Sequence, residues 1–231
     1  MNLIKSLKNL SKFETCLWLG SVAVIIAASL SMRNGSWLNL VSSLIGVTSL
    51  ILVAKGDALG QLLMVIFSIC YAVISWHFRY YGEMITYLGM TMPIAAAAMV
   101  SWLRHPYKER EVRISRMHRR NWIILLSLTA AVTAVFYFLL AALATPNLFF
   151  STVSITTSFL AASLMLLRSR LYAVAYASND LVLIILWVLA TLENMAYLPM
   201  IICFAVFFVK DMYGFYNWGI MRRRQEEKPS A

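Results

Sequence analysis

The sequence predicts an all-α membrane protein: two parallel three-helix bundles joined by a linker helix, with one extra transmembrane helix at the N-terminus. Three observations carry that prediction. The 231 residues are 61% hydrophobic and 13% charged, against roughly 45–50% and 25% in soluble domains, so the excess apolar surface must face lipid. Eight apolar stretches reach the ~17–25 residues that a spanning helix needs. The basic residues lie almost entirely on one side of those stretches.

The spans are Thr15–Met32, Trp37–Ala54, Ala58–Trp76, Met84–Trp102, Trp122–Thr145, Leu148–Leu167, Leu171–Leu192 and Ala196–Trp218. They are too long and too evenly apolar for barrel strands. Most connections are too short to fold separately. Eighteen of the twenty Lys and Arg residues fall on one side: the N-terminus, Lys55, Arg104–Arg120, Arg168, Arg170, Lys210 and the tail to Lys228. Only Arg33 and Arg79 fall on the other. The positive-inside rule then places both termini in the cytoplasm of a multi-pass cell-membrane protein.

That topology also accounts for the formal charge of +10 without nucleic acid. The connector His105–Asn121, with apolar Val112, Ile114 and Met117, reads as a segment lying on anionic headgroups. The tail after Met221 is polar and reads as disordered. Trp37, Trp102, Trp122 and Trp218 fit an interfacial aromatic belt. Residues 1–32 also resemble a signal peptide ending near Ser29–Leu30–Ser31, although the apolar stretch is long for one. Cys16, Cys70 and Cys203 sit in apolar runs without metal or disulfide spacing and read as packing residues.

Internal similarity sets the arrangement. Glu83–Met84–Ile85–Thr86–Tyr87–Leu88–Gly89–Met90 and Glu193–Asn194–Met195–Ala196–Tyr197–Leu198–Pro199–Met200 share Tyr–Leu–X–Met after an acidic residue. Spans two to four and six to eight therefore read as repeats. The odd fifth span makes them run in the same direction, one of the recurrent transporter plans. The division is 1–36 for the N-terminal tail and extra helix, 37–104 for the first bundle, 105–147 for the connector and linker helix, 148–218 for the second bundle, and 219–231 for the cytoplasmic tail.

Polar residues at mid-membrane carry the functional information, because hydrocarbon penalises them. In the seventh span Tyr172, Tyr176, Asn179, Leu183 and Trp187 recur on one helical stripe, with Asp180 at its edge. A carboxylate there costs ~2.5–3.5 kcal/mol on insertion scales unless it meets water, a partner or a ligand. The eighth span offers Phe204, Phe207, Phe208, Asp211, Phe215 and Trp218. Aromatic faces sandwich a flat heterocycle while an acid or amide orients it, and a cationic ring gains ~0.5–2 kcal/mol of cation–π attraction. Gln61, Glu83 and Tyr87 supply the facing half. The candidate solute-binding set is Gln61, Tyr87, Tyr172, Tyr176, Asn179, Asp180, Trp187, Phe208, Asp211 and Phe215. The packing alternative stays open: aromatic stripes often meet lipid, Asp180 or Asp211 can pair with Lys210, and Asn179 can bond a neighbouring helix for ~1 kcal/mol. His77, His105 and His118 form no ligand pair, and no Gly-rich phosphate loop occurs. The pattern is that of a carrier without cofactor or metal, not of an enzyme.

Tyr81–Gly82–Glu83–Met84–Ile85 resembles a hallmark of the PnuC family of vitamin transporters, as does Tyr213–Gly214–Phe215–Tyr216–Asn217–Trp218 before a basic tail. Leu171 to Trp187, with its internal Asn179–Asp180, is similar to that family's penultimate helix. The similarity runs from about Trp37 to Arg224. It implies a fold related to the SWEET sugar carriers, with which an extra N-terminal span is compatible. It also implies facilitated diffusion of nicotinamide riboside, retained by a separate cytoplasmic kinase. Members of the family are assigned to nicotinamide riboside, thiamine, riboflavin and deoxynucleosides. One departure stands out: where the family often carries two tryptophans ahead of the asparagine, this chain has Tyr172 and Ala175. A wider or differently filled pocket follows, which keeps thiamine or a (deoxy)nucleoside as the alternative solute. A lipid-modifying enzyme lacks a reactive pair near an interface, and a structural subunit would bind no solute. The expected partners are the small-molecule solute and the bilayer, with a homo-oligomer left open and nucleic acid excluded.

Overall fold

The structure, a computed structural model, describes residues 3–31, 37–77, 81–108, 111–145, 147–193 and 195–227. Arg33, Arg79, Arg110 and Lys228 of the charge count, the end of the first span at Met32, and Asn194 of the second repeat lie outside the described residues. Among the described residues the regular structure is helical apart from one small antiparallel ribbon. Helices α1 (Leu3–Lys8) and α2 (Lys12–Ser31) are followed by α3 (Trp37–Ala54) and α4 (Ala58–His77). The next span is composite: α5 (Tyr81–Thr86), a π-turn at Tyr87–Thr91, and α6 (Met92–Arg104). A two-stranded antiparallel ribbon (β1, Pro106–Lys108; β2, Glu111–Val112) leads to α7 (Arg119–Ala142). Then come α8 (Leu148–Leu166), α9 (Tyr172–Glu193), a 3-10 turn at Met195–Tyr197, and α10 (Leu198–Glu227). Eight helical stretches are long and apolar enough to cross a bilayer, α5 to α6 counting as one.

Local chemistry sets the ends of these helices. Ser11 and Glu14 form a reciprocal capping box that starts α2: Ser11 N donates to Glu14 Oε2 at 2.6 Å, and Glu14 N donates to Ser11 Oγ at 3.2 Å. Gly56 closes α3 with a φ of 71°, a left-handed conformation that glycine adopts without cost. Asp57 then caps α4 by accepting from Leu59 N at 2.9 Å. The π-turn has a cause two residues beyond it. Pro93 has no N–H and its ring crowds the carbonyl of Gly89, so regular α winding cannot continue. The chain widens instead, and Met92 N donates to Tyr87 O, five residues back. In the second repeat Pro199 sits in the first turn of α10, where its missing N–H is no loss. The two Tyr–Leu–X–Met segments thus adopt different local structures.

Packing follows the hydrophobic surfaces. Helices α3, α4 and α6 are neighbours, and so are α8, α9 and α10. These sets meet where α10 packs on α3 and α6 on α8, while α7 leans on α8 and α2 covers α3 and α10. Helix α7 exposes Ile123, Leu126, Val135 and Phe138, and α2 exposes Leu19, Val24 and Leu30. Those are lipid-facing surfaces. Polar side chains instead point inward: Gln61, Ser68, Asn179, Asp180 and Asp211 are all buried.

One end of the bundle, here the basic face, gathers the α3–α4 and α8–α9 turns, the ribbon and the end of α10. It is held by several polar clasps. Glu14 Oε2 accepts from Lys55 Nζ at 3.0 Å and its Oε1 from Tyr213 Oη at 2.8 Å, tying α2 to the α3–α4 turn and to α10. Ser6 Oγ donates to Asp57 at 2.6 Å. Gln225 accepts from Ile114 N at 2.9 Å and donates to Val112 O at 3.0 Å. Arg224 pairs with Glu111.

Several sequence expectations need correction. The segment after Met221 is helical to Glu227, because Arg224 and Gln225 find partners on the ribbon and Glu226 pairs with Arg116 of the connector. The connector is not simply spread on headgroups: Val112 is buried against Gly56 and Met221, and Val112 N donates to Gly56 O at 3.0 Å. Trp102 and Trp218 are interior and meet with tilted rings at 5.5 Å, leaving the belt to residues such as the exposed Trp37. Lys210 stands mid-helix, 1% exposed, about 25 Å along α10 from Glu227 at 1.5 Å per residue. It does not belong to the basic face.

Gly60 sets the approach of α4 to α3. A Cβ there would lie 2.7 Å from Val53 N and 2.9 Å from Ser49 O, both main-chain atoms. Gly60→Val is expected to destabilise the protein by about 1–3 kcal/mol through overpacking, measured as a lower unfolding temperature in detergent. An unchanged transition would show that the two helices separate freely.

Candidate functional site

Two clusters of rings lie inside the bundle. The first, farther from the basic face, joins Phe67 and Tyr71 of α4, Tyr87 of the π-turn, Trp187 of α9, and Phe204 and Phe207 of α10. Tyr71 is its centre: its ring lies 4.3 Å from that of Tyr87 and 5.8 Å from that of Phe204, and its hydroxyl accepts from Trp187 Nε1 at 3.1 Å. The second joins Trp102, Tyr172, Trp218 and the half-buried Tyr176. Tyr172 meets Trp218 at 4.7 Å and Tyr176 at 6.2 Å. The two indoles donate to main-chain carbonyls, Trp102 Nε1 to Met165 O at 3.2 Å and Trp218 Nε1 to Val53 O at 3.0 Å.

Between the clusters runs a polar layer. Asp180 and Asp211 meet carboxyl to carboxyl across α9 and α10, and Tyr87, Tyr176 and Cys203 lie within electrostatic reach of Asp180. Asn179, one residue earlier, points the other way. Its Oδ1 accepts from Thr157 Oγ1 at 2.8 Å and Ser158 Oγ at 2.9 Å on α8. Gln61 Nε2 donates to Met165 Sδ. Near the first cluster, Ser154 Oγ donates to Glu83 Oε1 at 3.3 Å.

Some buried polar atoms of this layer have no hydrogen-bond partner among the described residues: Gln61 Oε1, Glu83 Oε2, Asp180 Oδ2 and Lys210 Nζ. Leaving such a group unpaired costs about 1–3 kcal/mol each, more for charged groups. Three of the four are acceptors. The layer is therefore chemically suited to a molecule rich in O–H and N–H donors, and its excess of carboxyls suits positive charge.

The ten residues singled out in the sequence are distributed as follows. Gln61, Asp180 and Asp211 form the layer together with Asn179, Tyr87 and Trp187 belong to the first cluster, and Tyr172 and Tyr176 to the second. Phe215 lies at the basic face, with the Arg170 guanidinium 4.7 Å above its ring. Phe208 is half-buried and belongs to neither cluster. Sequence reasoning passed over Tyr71, the hub of the first cluster, and the α8 hydroxyls that hold Asn179. A signal for the latter was present: Ser151, Thr152, Ser154, Thr156, Thr157 and Ser158 crowd one stretch of an otherwise apolar span.

Lipid-facing helices around a buried polar layer define a multi-pass membrane protein. Residues 36–219 match the nicotinamide mononucleotide transporter family, and the chain belongs to it. It is 25% identical over 214 residues to the nicotinamide riboside transporter PnuC of Neisseria mucosa, covering 90% of this chain and 81% of that one. It is 23% identical to the nicotinamide riboside transporter PnuC of Haemophilus influenzae, over 90% of each chain. The crystal structure of the vitamin B3 transporter PnuC superimposes with a TM-score of 0.82 at 24% identity, over 94% of both chains.

The Tyr71 hydroxyl and ring are expected to contribute separately. Tyr71→Phe removes one hydrogen bond, about 1 kcal/mol, whereas Tyr71→Ala opens the ring cluster for about 3–5 kcal/mol. Thermal unfolding of the two variants side by side checks the ranking, and equal losses would contradict it.

Proposed function

We propose that the protein takes up nicotinamide riboside across the cell membrane by facilitated diffusion, and that a separate cytoplasmic kinase traps the solute. In this reading residues 37–104 and 148–218 act as two parallel three-helix bundles, and 105–147 supply the connector and linker helix. Residues 1–36 add a span outside that unit, and 219–231 end it on the cytoplasmic side. The neighbour relations among α3, α4 and α6 and among α8, α9 and α10 support this division. The basic face is then cytoplasmic, as the positive-inside rule expects.

The observation that carries the solute assignment is the row of unpaired buried acceptors, Gln61 Oε1 and Asp180 Oδ2 above all. Ribose hydroxyls and a carboxamide NH2 are the donors such atoms require. A pyridinium ring gains from the Asp180–Asp211 carboxyls and from the faces of Tyr87, Tyr172, Tyr176 and Trp187. Asn179, its oxygen engaged by α8, contributes its amide nitrogen. Phe208, and Phe215 under Arg170, flank the route rather than the ring. The names of the two relatives, both nicotinamide riboside transporters, agree.

One feature favours a second solute, thiamine or a (deoxy)nucleoside. Tyr172 is packed against Trp218, and Ala175 offers no ring, so this end of the pocket is shaped differently from the paired tryptophans of the family pattern. Competition by unlabelled thiamine and deoxynucleosides in one vesicle preparation separates the readings.

Purified protein in liposomes is expected to equilibrate labelled nicotinamide riboside without ATP, sodium or a proton gradient. A required gradient would overturn facilitated diffusion. Asp180→Asn and Gln61→Leu are each expected to lower the initial rate about tenfold or more, since each removes a hydrogen bond of the charged or buried kind. Rates within twofold of wild type in both, with the protein folded, would remove the polar layer from the binding site.

A further inference from the structure

The basic face holds a second feature that carriage of the solute leaves unused. A cavity of about 450 Å³ opens between the connector and the α8–α9 turn, lined by Arg116, Arg170, Arg222, Ser115, Ser169 and Trp122 among others. A neighbouring recess, about 340 Å³, shares Arg116 and Arg222 and adds Arg113. The connector is fixed there by its main chain, with Ser115 N donating to Arg168 O at 3.0 Å.

Positive charge outweighs negative around this cavity. Glu226 is the carboxylate that pairs with Arg116 and Arg222, both at 2.9 Å. Arg170 rests on the ring of Phe215 rather than on an acid. Arg168, on the adjoining turn, has a buried Nε without a hydrogen-bond partner among the described residues. Burial, together with the neighbouring Arg113, lowers its affinity for its proton relative to a free guanidinium. The two recesses together are lined by four arginines, Arg113, Arg116, Arg170 and Arg222, and one carboxylate, Glu226. Planar guanidinium forks suit the oxygens of phosphate, and two serine hydroxyls add neutral donors to the same space.

We propose that this cavity binds a phosphate-bearing anion, held by Arg116, Arg170 and Arg222 with Ser115 and Ser169. Two sources share that chemistry. One is the phosphodiester headgroup of an anionic lipid, entering beside Trp122 at the start of α7. The other is a water-soluble phosphate arriving from the side of the basic face. Leu171, also on the wall, is followed directly by Tyr172. Occupancy would therefore hold the turn from which the ring-bearing stripe of α9 begins.

The full chain in phosphatidylcholine nanodiscs distinguishes the sources by its unfolding temperature. One arm adds phosphatidylglycerol to the bilayer. The other adds inorganic phosphate, with chloride at matched ionic strength as control. A rise with phosphatidylglycerol alone supports the lipid source, and a rise with inorganic phosphate above chloride supports the soluble one. In the responding arm Arg170→Gln is expected to weaken binding about tenfold or more. The doubly substituted Arg119→Gln, Arg120→Gln protein, which loses two positive charges outside the cavity wall, is expected to bind as wild type. Should Arg170→Gln fail to fold, Arg222→Lys keeps the charge, loses the fork and is expected to weaken binding in the same direction. No rise in either arm overturns the proposal. So does a rise that survives at Arg170 and Arg222, or one lost equally in the Arg119 and Arg120 variant.

Discussion

Hydrocarbon offers no hydrogen-bond partner, and that constraint orders the interior of this protein. Every polar side chain carried by a span has to bond its own helix backbone, as Ser68 and Thr129 do, meet another helix, or wait for a visitor. Most meet a neighbour. Asn179 is held by Thr157 and Ser158, Trp187 by Tyr71, and Thr133 faces Thr156 at 2.9 Å between α7 and α8. Among the described residues that do not, Gln61, Asp180 and Lys210 lie in or beside one layer, while Ser42, Ser75 and Thr91 lie elsewhere in the spans. Such a layer is expensive in a protein that merely needs to fold. Its position between two ring clusters is what gives the family membership a physical meaning in this chain.

The basic face works under a different constraint, since water is present and polar contacts are individually weak. Its order comes from number and from main-chain involvement. Glu14 gathers Ser11, Lys55 and Tyr213, so the N-terminal helices are tied to two other elements at once. Gln225 does the same for α10 by pairing with the backbone of the ribbon. Helix α2 is also joined to the bundle along its length, through Trp18 Nε1 donating to Thr48 Oγ1 at 3.1 Å and through buried Ile25. Its other face presents aliphatic side chains outward.

Much of the fold was legible because lipid imposes a simple rule on sequence. Eight apolar stretches and their charged borders are visible without any knowledge of packing, and the boundaries shift by only a few residues at most ends. The buried polar layer was legible where a polar residue interrupted a span: Gln61, Asn179, Asp180 and Asp211 are all buried. Hidden were features that depend on which helix lies opposite. Trp102 and Trp218 look interfacial by position, but each finds a carbonyl, on Met165 and Val53, that admits it to the interior. Lys210 reads as part of the basic side because it falls in the later part of the predicted span, but the helix continues nine residues past Trp218 to Glu227, leaving Lys210 near its middle. Tyr71 carries no charge and sits among apolar neighbours in sequence, so its central place appears only when α4, α9 and α10 converge.

The π-turn at Tyr87–Thr91 makes the α5–α6 span mechanically unlike α10. One five-residue rung, wider and less tightly bonded than its surroundings, lies directly beside the ring of Tyr71. Its counterpart in the other half begins at a proline-stiffened helix start with no such rung. Bending of the α5–α6 span would concentrate at that loosened rung, whereas α10, continuous from Leu198 to Glu227, would move as a rod.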